Sequence, residues 1–298
     1  MSKIEEALKK AKLSRGNNRS ELSVVSTNKN ELRQSAIRDL AVTESPDSNA
    51  GEVVRRESSA KEIALMKEKG LYESNEFSEL KIIHSEMNDN KTANTYRDLR
   101  TKLIQKNKGR NFIAMLTSCD RDIDSATTAL NLATAFSFDE SKTSLLIDCN
   151  LNNPQFDSIL DFDSKKGLTD YLENDDIDIE SILHSTGIKR LRMIPAGESR
   201  ETATEYFTSL RMRDLMSNLL SRYTDRYIFI NSPPIVDSAD TRILIELCDF
   251  VVLVVPYGKS TVNKIKEATD AIGKDKLMGV VFNKIPKLPG FGSNWSKT

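Results

Sequence analysis

Little in this sequence points to a disulfide-held, metal-held or membrane-spanning protein. Its 298 residues include three cysteines, two histidines and one tryptophan. Cys119, Cys149 and Cys248 are too few and too scattered for a disulfide framework or a zinc site, so a reducing cytoplasm is the expected compartment. His84 and His184 stand alone, and no nucleophilic triad can be assembled around them. No apolar run reaches the roughly 18–20 residues of a membrane span, and residues 1–30 hold no apolar signal core. Attachment to a membrane is therefore expected only through a partner. An excess of charge is missing too: 43 Lys and Arg against 44 Asp and Glu leave a net charge of -1, which gives no reason to expect nucleic acid or an anionic membrane as the main partner.

What is present is ordinary soluble-protein composition, 38% hydrophobic and 29% charged, unevenly distributed. Residues 1–13 read as a short amphipathic helix, with Ser2 and Glu5 at capping-box spacing and Ile4, Ala7, Leu8 and Ala11 on one face. So short a helix is marginal alone; it either finds a partner surface through Ile4 and Leu8 or frays. Residues 14–73 are rich in Ser, Asn, Glu, Lys and Arg and poor in aromatics. Such a stretch buries too little apolar area to offset ordering, so a largely disordered tether is expected, with local helix over 62–69.

From about residue 75 the pattern becomes denser. A helix is expected over 92–106, then apolar runs of strand length at 112–118, 144–149, 191–195, 227–231, 250–256 and 278–283. Helical periodicity lies between most of them, at 124–138, 210–223 and 260–272. Continuous apolar strands alternating with helices predict a three-layer α/β fold, a parallel sheet covered by helices on both faces. Ligands of such sheets sit beyond the carboxyl ends of the strands.

The segment TSCDRDIDSATTALNLA (117–133) joins the first strand to a helix, where a phosphate-binding loop would lie. In order after it come LLIDCNLNNP (145–154), GLTDYL (167–172), IPAG (194–197), YIFINSPP (227–234) and GVVFNK (279–284), with YRDLRTKL (96–103) ahead of the first strand. This ordered set resembles the ParA/MinD-like branch of P-loop proteins, and within it the bacterial tyrosine autokinases of capsule and exopolysaccharide systems. The resemblance covers residues 94–284 and implies a P-loop NTPase-like domain over 75–285. A helix and flexible tether precede it (1–74) and a flexible tail follows (286–298).

A working phosphate loop needs glycines for close backbone approach, a Lys for the β- and γ-phosphates and a hydroxyl for Mg²⁺. By the resemblance, the two glycine positions carry Asp122 and Asp124, the Lys position Ser125 and the hydroxyl position Ala126, while Thr127 keeps its hydroxyl. The second motif has Asp148 and Asn150 where the family pairs aspartates, and Asn152 where it has arginine; the third has Asn231 in place of aspartate. Asp120, Asp122 and Asp124 surround the space of a triphosphate. At about 5 Å and an effective dielectric of about 20, each repulsion is roughly 3 kcal/mol, and half of that, twice over, weakens binding on the order of a hundredfold. ATP and Mg²⁺ binding is thus expected to be weak or absent, with neither cofactor nor metal required; Asn283 remains a candidate contact for a nucleotide base.

The aspartates have other readings. DRDID has the alternate carboxylates that open a calcium loop, but Ser125 stands where that loop wants Gly and Asn131 where it wants Glu. Acidic residues capping the following helix are the plainest account. Cys119 and Cys149 are read as small buried side chains, with a redox pair as the alternative. The family's E-x-x-R-x-x-R oligomerisation motif appears as Asn94, Arg97 and Arg100, keeping both arginines as candidate partner contacts, and no tyrosine follows Tyr257 in place of the family's phosphorylated tail. The expectation is a non-catalytic, pseudokinase-like regulatory or scaffold protein of polysaccharide synthesis and export. Its expected partners are a membrane-bound chain-length regulator, a paralogous kinase or a glycosyltransferase. The alternatives are an unconventional ATPase or tyrosine kinase using Asp148, Thr127 and Asp240, and a ParA/MinD-like positioning protein.

Overall fold

The computed structural model describes residues 71–84, 87, 90–120, 125–160, 166–201, 203–222, 225–236 and 238–285. Ile4, Leu8, the expected helices at 1–13 and 62–69, Asp122, Asp124 and the 286–298 tail lie outside them. In chain order the elements are α1 (Ser74–Glu79), α2 (Asn90–Lys106), β1 (Ile113–Ser118), α3 (Ser125–Ser137), β2 (Thr143–Asp148), α4 (Leu168–Glu173), β3 (His184–Ser185) and β4 (Leu191–Ile194). They continue with α5 (Thr204–Thr208), α6 (Leu210–Arg222), β5 (Arg226–Asn231), α7 (Ala239–Glu246), β6 (Phe250–Pro256), α8 (Val262–Ile272) and β7 (Leu277–Asn283).

The strands form one sheet of order β3-β4-β2-β5-β1-β6-β7. β1, β2, β5 and β6 are buried along their whole length, because helices cover both faces and leave no polar side to alternate with. All pairings are parallel except β3 with β4, which is antiparallel. The sheet is thus the parallel one expected, with a two-residue antiparallel edge strand added that the sequence did not reveal, because His184 and Ser185 are too few to show a period. The chain runs from β1 outward to β2, β4 and β3, returns to insert β5 beside β1, then builds β6 and β7 on the other side. The carboxyl end of β1 therefore lies at the reversal of strand order, where α/β sheets open a crevice.

Phe112, Phe136, Tyr227, Phe229 and Phe250 knit the sheet to α3, with Phe112 centroids 5.7 Å from Phe136, 4.9 Å from Tyr227 and 5.6 Å from Phe250. These buried rings explain why the apolar strand runs were readable in the sequence. The segment before α2 is fastened by one side chain of α3. Asn131 accepts from the Ile83 amide at 2.7 Å and donates to the Lys81 carbonyl at 3.1 Å and to Thr127 O at 2.9 Å.

GLTDYL and IPAG meet at the carboxyl end of β4. The Leu168 amide donates to Pro195 O at 2.8 Å and the Thr169 amide to Ala196 O at 3.0 Å. Gly197 takes φ +82°, and a Cβ on Gly167 would run into the backbone of Pro195 and Gly197. Only glycine permits that crossing.

Candidate functional site

The candidate site is the crevice at the carboxyl ends of β1, β2 and β5. The chain after β5 is laced to β1: Ser232 N donates to Leu116 O at 3.1 Å, Ile235 N to Ser118 O at 2.9 Å, and Thr117 Oγ1 to Pro233 O at 2.8 Å. This lacing holds the residues after Asn231 against the start of the phosphate-loop segment.

Within the crevice three sequence-predicted positions form one hydrogen-bonded line. Ser125 Oγ donates to Asn231 Oδ1 at 3.0 Å, and Asn231 Nδ2 donates to Asp148 Oδ1 at 3.0 Å. The Asn150 amide adds a second donor to the same Asp148 oxygen at 3.0 Å. Asn231 is 0%, Asp148 1% and Ser125 4% exposed, so the line runs through the interior. Each side chain is committed inward. Asn231 supplies a donor to Asp148, where a carboxylate would place a second negative charge 3.0 Å away. Ser125 turns its hydroxyl inward to Asn231. Ala126 is fully buried and offers no hydroxyl to a metal.

Asp120 differs from its sequence reading. Its Oδ2 lies 2.6 Å from Lys264 Nζ, on the first turn of α8. One of the three negative charges expected to oppose phosphate is therefore balanced by a side chain 144 residues away. The neighbouring Cys119 Sγ is 3.2 Å from Ser260 Oγ, so the turn before α8 is a second wall of the site.

The remaining candidates are committed internally. Asn283 donates to Thr128 Oγ1 at 3.2 Å and accepts from the Lys284 amide at 2.7 Å, so contact with a base would cost these bonds. Asp240, 8% exposed, accepts from Thr204 Oγ1 in the first turn of α7. Arg97 donates to Asn94 Oδ1 at 3.0 Å and sits 5.7 Å over the Phe138 ring. Arg100 donates to Ala135 O at 2.7 Å, near the carboxyl end of α3. Both arginines thus have structural work within the domain. Asn131, the calcium-loop twelfth position, is fully occupied by the backbone bonds given above, and among the described residues no cluster of three His, Cys, Asp or Glu is placed to hold a metal.

The three cysteines are buried and unbridged. Cys119 and Cys149 end strands separated by β5, hence about 10 Å apart, well beyond disulfide reach. Burial pushes the Cys149 thiol well above its usual range, with Asp148 and Cys248 adding to the shift. The small-side-chain reading holds for the pair.

Sequence reasoning missed Lys264, Ser260 and a cluster on the β4 side, because each depends on approaches across many residues. In that cluster Glu173 accepts from Arg200 Nε at 2.7 Å and from the Tyr206 hydroxyl at 2.6 Å, which holds its carboxyl down at about 2.

No protein-family model matches the chain. Among curated proteins it is 30% identical over 213 residues to the tyrosine-protein kinase YwqD of Bacillus subtilis (strain 168), an alignment covering 69% of this chain and 88% of that one. The chain belongs to the bacterial tyrosine-protein kinase family. The tyrosine-protein kinase CpsD of Streptococcus agalactiae is 28% identical over 210 residues, covering 69% of this chain and 90% of its own. Among solved structures, the BceF tyrosine kinase domain aligns with a TM-score of 0.56 at 25% identity, over 65% of this chain and 78% of that domain. The chimerical protein CapA2B2 shares the fold with a TM-score of 0.64 at 22% identity, over 78% of this chain and all of that one. Family membership and fold therefore agree with the ordered motifs, while the crevice carries its own set of side chains.

Proposed function

We propose that this chain is a non-catalytic member of its kinase family, a regulatory or scaffold protein of capsule or exopolysaccharide synthesis and export. The observation that carries the reading is the buried line Ser125–Asn231–Asp148. A phosphate site presents donors and metal-binding oxygens to a ligand; here those positions bond to one another. Asp148 Oδ1 is already held by two donors, and a triphosphate would find an alanine and a serine where the resemblance places a hydroxyl and a lysine. The residues present do not fit Mg-ATP, and no catalytic step is assigned to them. Retaining a well-packed domain without such a site fits a surface used by other proteins. The partner classes that suit it are a membrane-bound chain-length regulator, a paralogous kinase and a glycosyltransferase.

Calorimetric titration of ATP and ADP, with and without Mg²⁺, tests the reading. No saturable heat at millimolar nucleotide is the expected result. A ligand present at 100 times its Kd would also raise stability by about 2.7 kcal/mol, which a melting curve registers. The kinase names of its relatives favour a second reading, an unconventional tyrosine kinase or ATPase centred on Asp148. ATP turnover that is lost in Asp148→Asn would establish that reading and end the first.

A further inference from the structure

A balanced total charge conceals one local excess. Residues 99–111 contain five basic side chains and no acidic one. Arg100 is spent on Ala135 O, but Lys102, Lys106, Lys108 and Arg110 are all exposed at the end of α2 and the turn after it. None of the four makes an ion pair with any described residue.

The fold accounts for only part of this arrangement: Lys106 Nζ lies 5.9 Å from the centroid of the Phe250 ring, and exposed Asp98 stands one turn before Lys102. Lys102 and Lys106 are like charges one helical turn apart, which weakens a helix. Lys108 takes φ 52°, the left-handed position closing α2, with its amide on Gln105 O at 3.2 Å and the Gly109 amide on Ile104 O at 3.0 Å. Glycine fills that position without strain, yet a lysine is there. The helix dipole rewards cations in the last turn only, which leaves Lys102 and Arg110 unexplained. The strands begin on this side, opposite the crevice. Of the acids on this side, Asp249 is exposed with Oδ2 held by the Ile113 amide at 2.9 Å, Asp225 Oδ2 accepts from Thr143 Oγ1 at 3.4 Å, Glu246 is exposed at the end of α7, and exposed Glu140 and Asp275 precede β2 and β7, each two strands from β1; none of them forms an ion pair with the four basic side chains.

We propose that Lys102, Lys106, Lys108 and Arg110 form an electrostatic docking surface for an anionic lipid bilayer, leaving the carboxyl ends of the strands facing away from it. The chemistry favours a broad, flat anion. A helix carboxyl end offers carbonyls rather than amides, so no backbone cradle for a single phosphate exists there. Lys102 and Lys106 lie about 6 Å apart along the helix axis, and Lys108 and Arg110 continue the patch on the turn beyond it. A bilayer's surface potential acts on such a cluster at about 1 kcal/mol per charge. Non-specific duplex binding typically draws on about 6–10 phosphate contacts, more than this patch supplies.

The test is co-sedimentation of the full chain with vesicles of phosphatidylcholine alone or with about 30% phosphatidylglycerol, at about 0.1 M salt. Binding is expected to the anionic vesicles only. Each Gln substitution at the four positions should lower partitioning about fivefold, and the four together on the order of several hundredfold, equivalent to about 1 kcal/mol per charge. Lys266→Gln, an equal charge change on exposed α8, should leave partitioning unchanged. All four side chains are exposed, so melting temperatures should hold; should the quadruple variant melt early, the single variants carry the same test. Wild-type partitioning by the quadruple variant, equal loss in Lys266→Gln, or no binding to anionic vesicles overturns the proposal. Tighter binding to a DNA duplex, lost in the same variants, overturns the choice of lipid.

Discussion

The substitution Asn231→Asp isolates what the crevice has exchanged. It is nearly isosteric, returns the residue that the resemblance places there, and changes one donor into a carboxylate. In the native chain Asn231 Nδ2 donates to Asp148 Oδ1 at 3.0 Å, and both residues are at most 1% exposed. Two carboxylates at that separation repel by roughly 5 kcal/mol at an effective dielectric of about 20. One of them escapes by holding its proton, so the pair titrates jointly and at least one folded-state pKa rises. A carboxyl whose folded pKa exceeds its unfolded value, about 3.9, costs nothing when both states are protonated. The cost grows as pH rises above that value, because the unfolded chain then releases a proton that the folded chain retains. Urea denaturation from pH 4 to pH 8 is the assay. The variant should lie near the wild type at about pH 4 and fall about 3–5 kcal/mol below it at about pH 8. A variant within about 1 kcal/mol of wild type at pH 8 would mean that Asn231 and Asp148 do not share a dry hydrogen bond, and the non-catalytic reading would lose its main support.

Other perturbations probe separate parts of the argument. Asn131→Ala removes the ties to Ile83 N and Lys81 O and should cost about 2–3 kcal/mol, with faster proteolysis near residues 81–87 as a direct readout. Gly167→Ala drives a methyl group into the backbone of Pro195 and Gly197 and should destabilise by about 3 kcal/mol or more, measured by thermal melting against a Gly279→Ala control, whose Cβ position is open. Glu173, whose carboxyl is held near 2 by Arg200 first and Tyr206 next, should titrate there by carboxyl NMR and move upward in Arg200→Ala and in Tyr206→Phe. Its depressed folded value means that the pairing stabilises above the unfolded pKa and is lost as pH falls toward 2. Lys264→Ala should leave stability within about 1 kcal/mol, since its pair with Asp120 is partly exposed.

The central sheet was legible because its strands are continuously buried: each of β1, β2, β5 and β6 is an apolar run that needs no partner to be noticed. The helices α2, α3, α6 and α8 showed their period for the same reason. Short elements were not legible. Six residues of α4 hold fewer than two helical turns and β3 only two residues, and α4 is fixed by contacts from elsewhere, including Arg211, which donates to the Tyr171 carbonyl within it and to the Asn174 carbonyl just beyond it at 2.7 Å. At the site, the altered residue types were evident in the motifs, but their new partners were not. Nothing local says that Ser125 bonds to Asn231, 106 positions on, or that Lys264 reaches Asp120. Sequence shows which residue types stand at the site; only the fold shows what they bond to.

On the proposed reading, the pairing of Asn231 with Ser125 has a consequence for how such a domain persists. A crevice holding two buried aspartates near a phosphate loop depends on a cation, because unneutralised carboxylates at 3 Å oppose folding. Converting one aspartate to asparagine removes the repulsion and supplies a donor in the same step. The serine at 125 then satisfies the amide oxygen that the conversion creates. The two changes are complementary: Asn231 without a donor at 125 would leave a buried oxygen unmatched by that residue, and Ser125 beside an aspartate would still leave two carboxylates to be neutralised. On the proposed reading, selection on the pair is for folding without ligand rather than for turnover. The double variant Ser125→Lys with Asn231→Asp should accordingly recover stability relative to Asn231→Asp alone, by an interaction of about 1–3 kcal/mol in a double-mutant cycle at about pH 8. Strictly additive effects would show that the two positions have not been re-matched to each other.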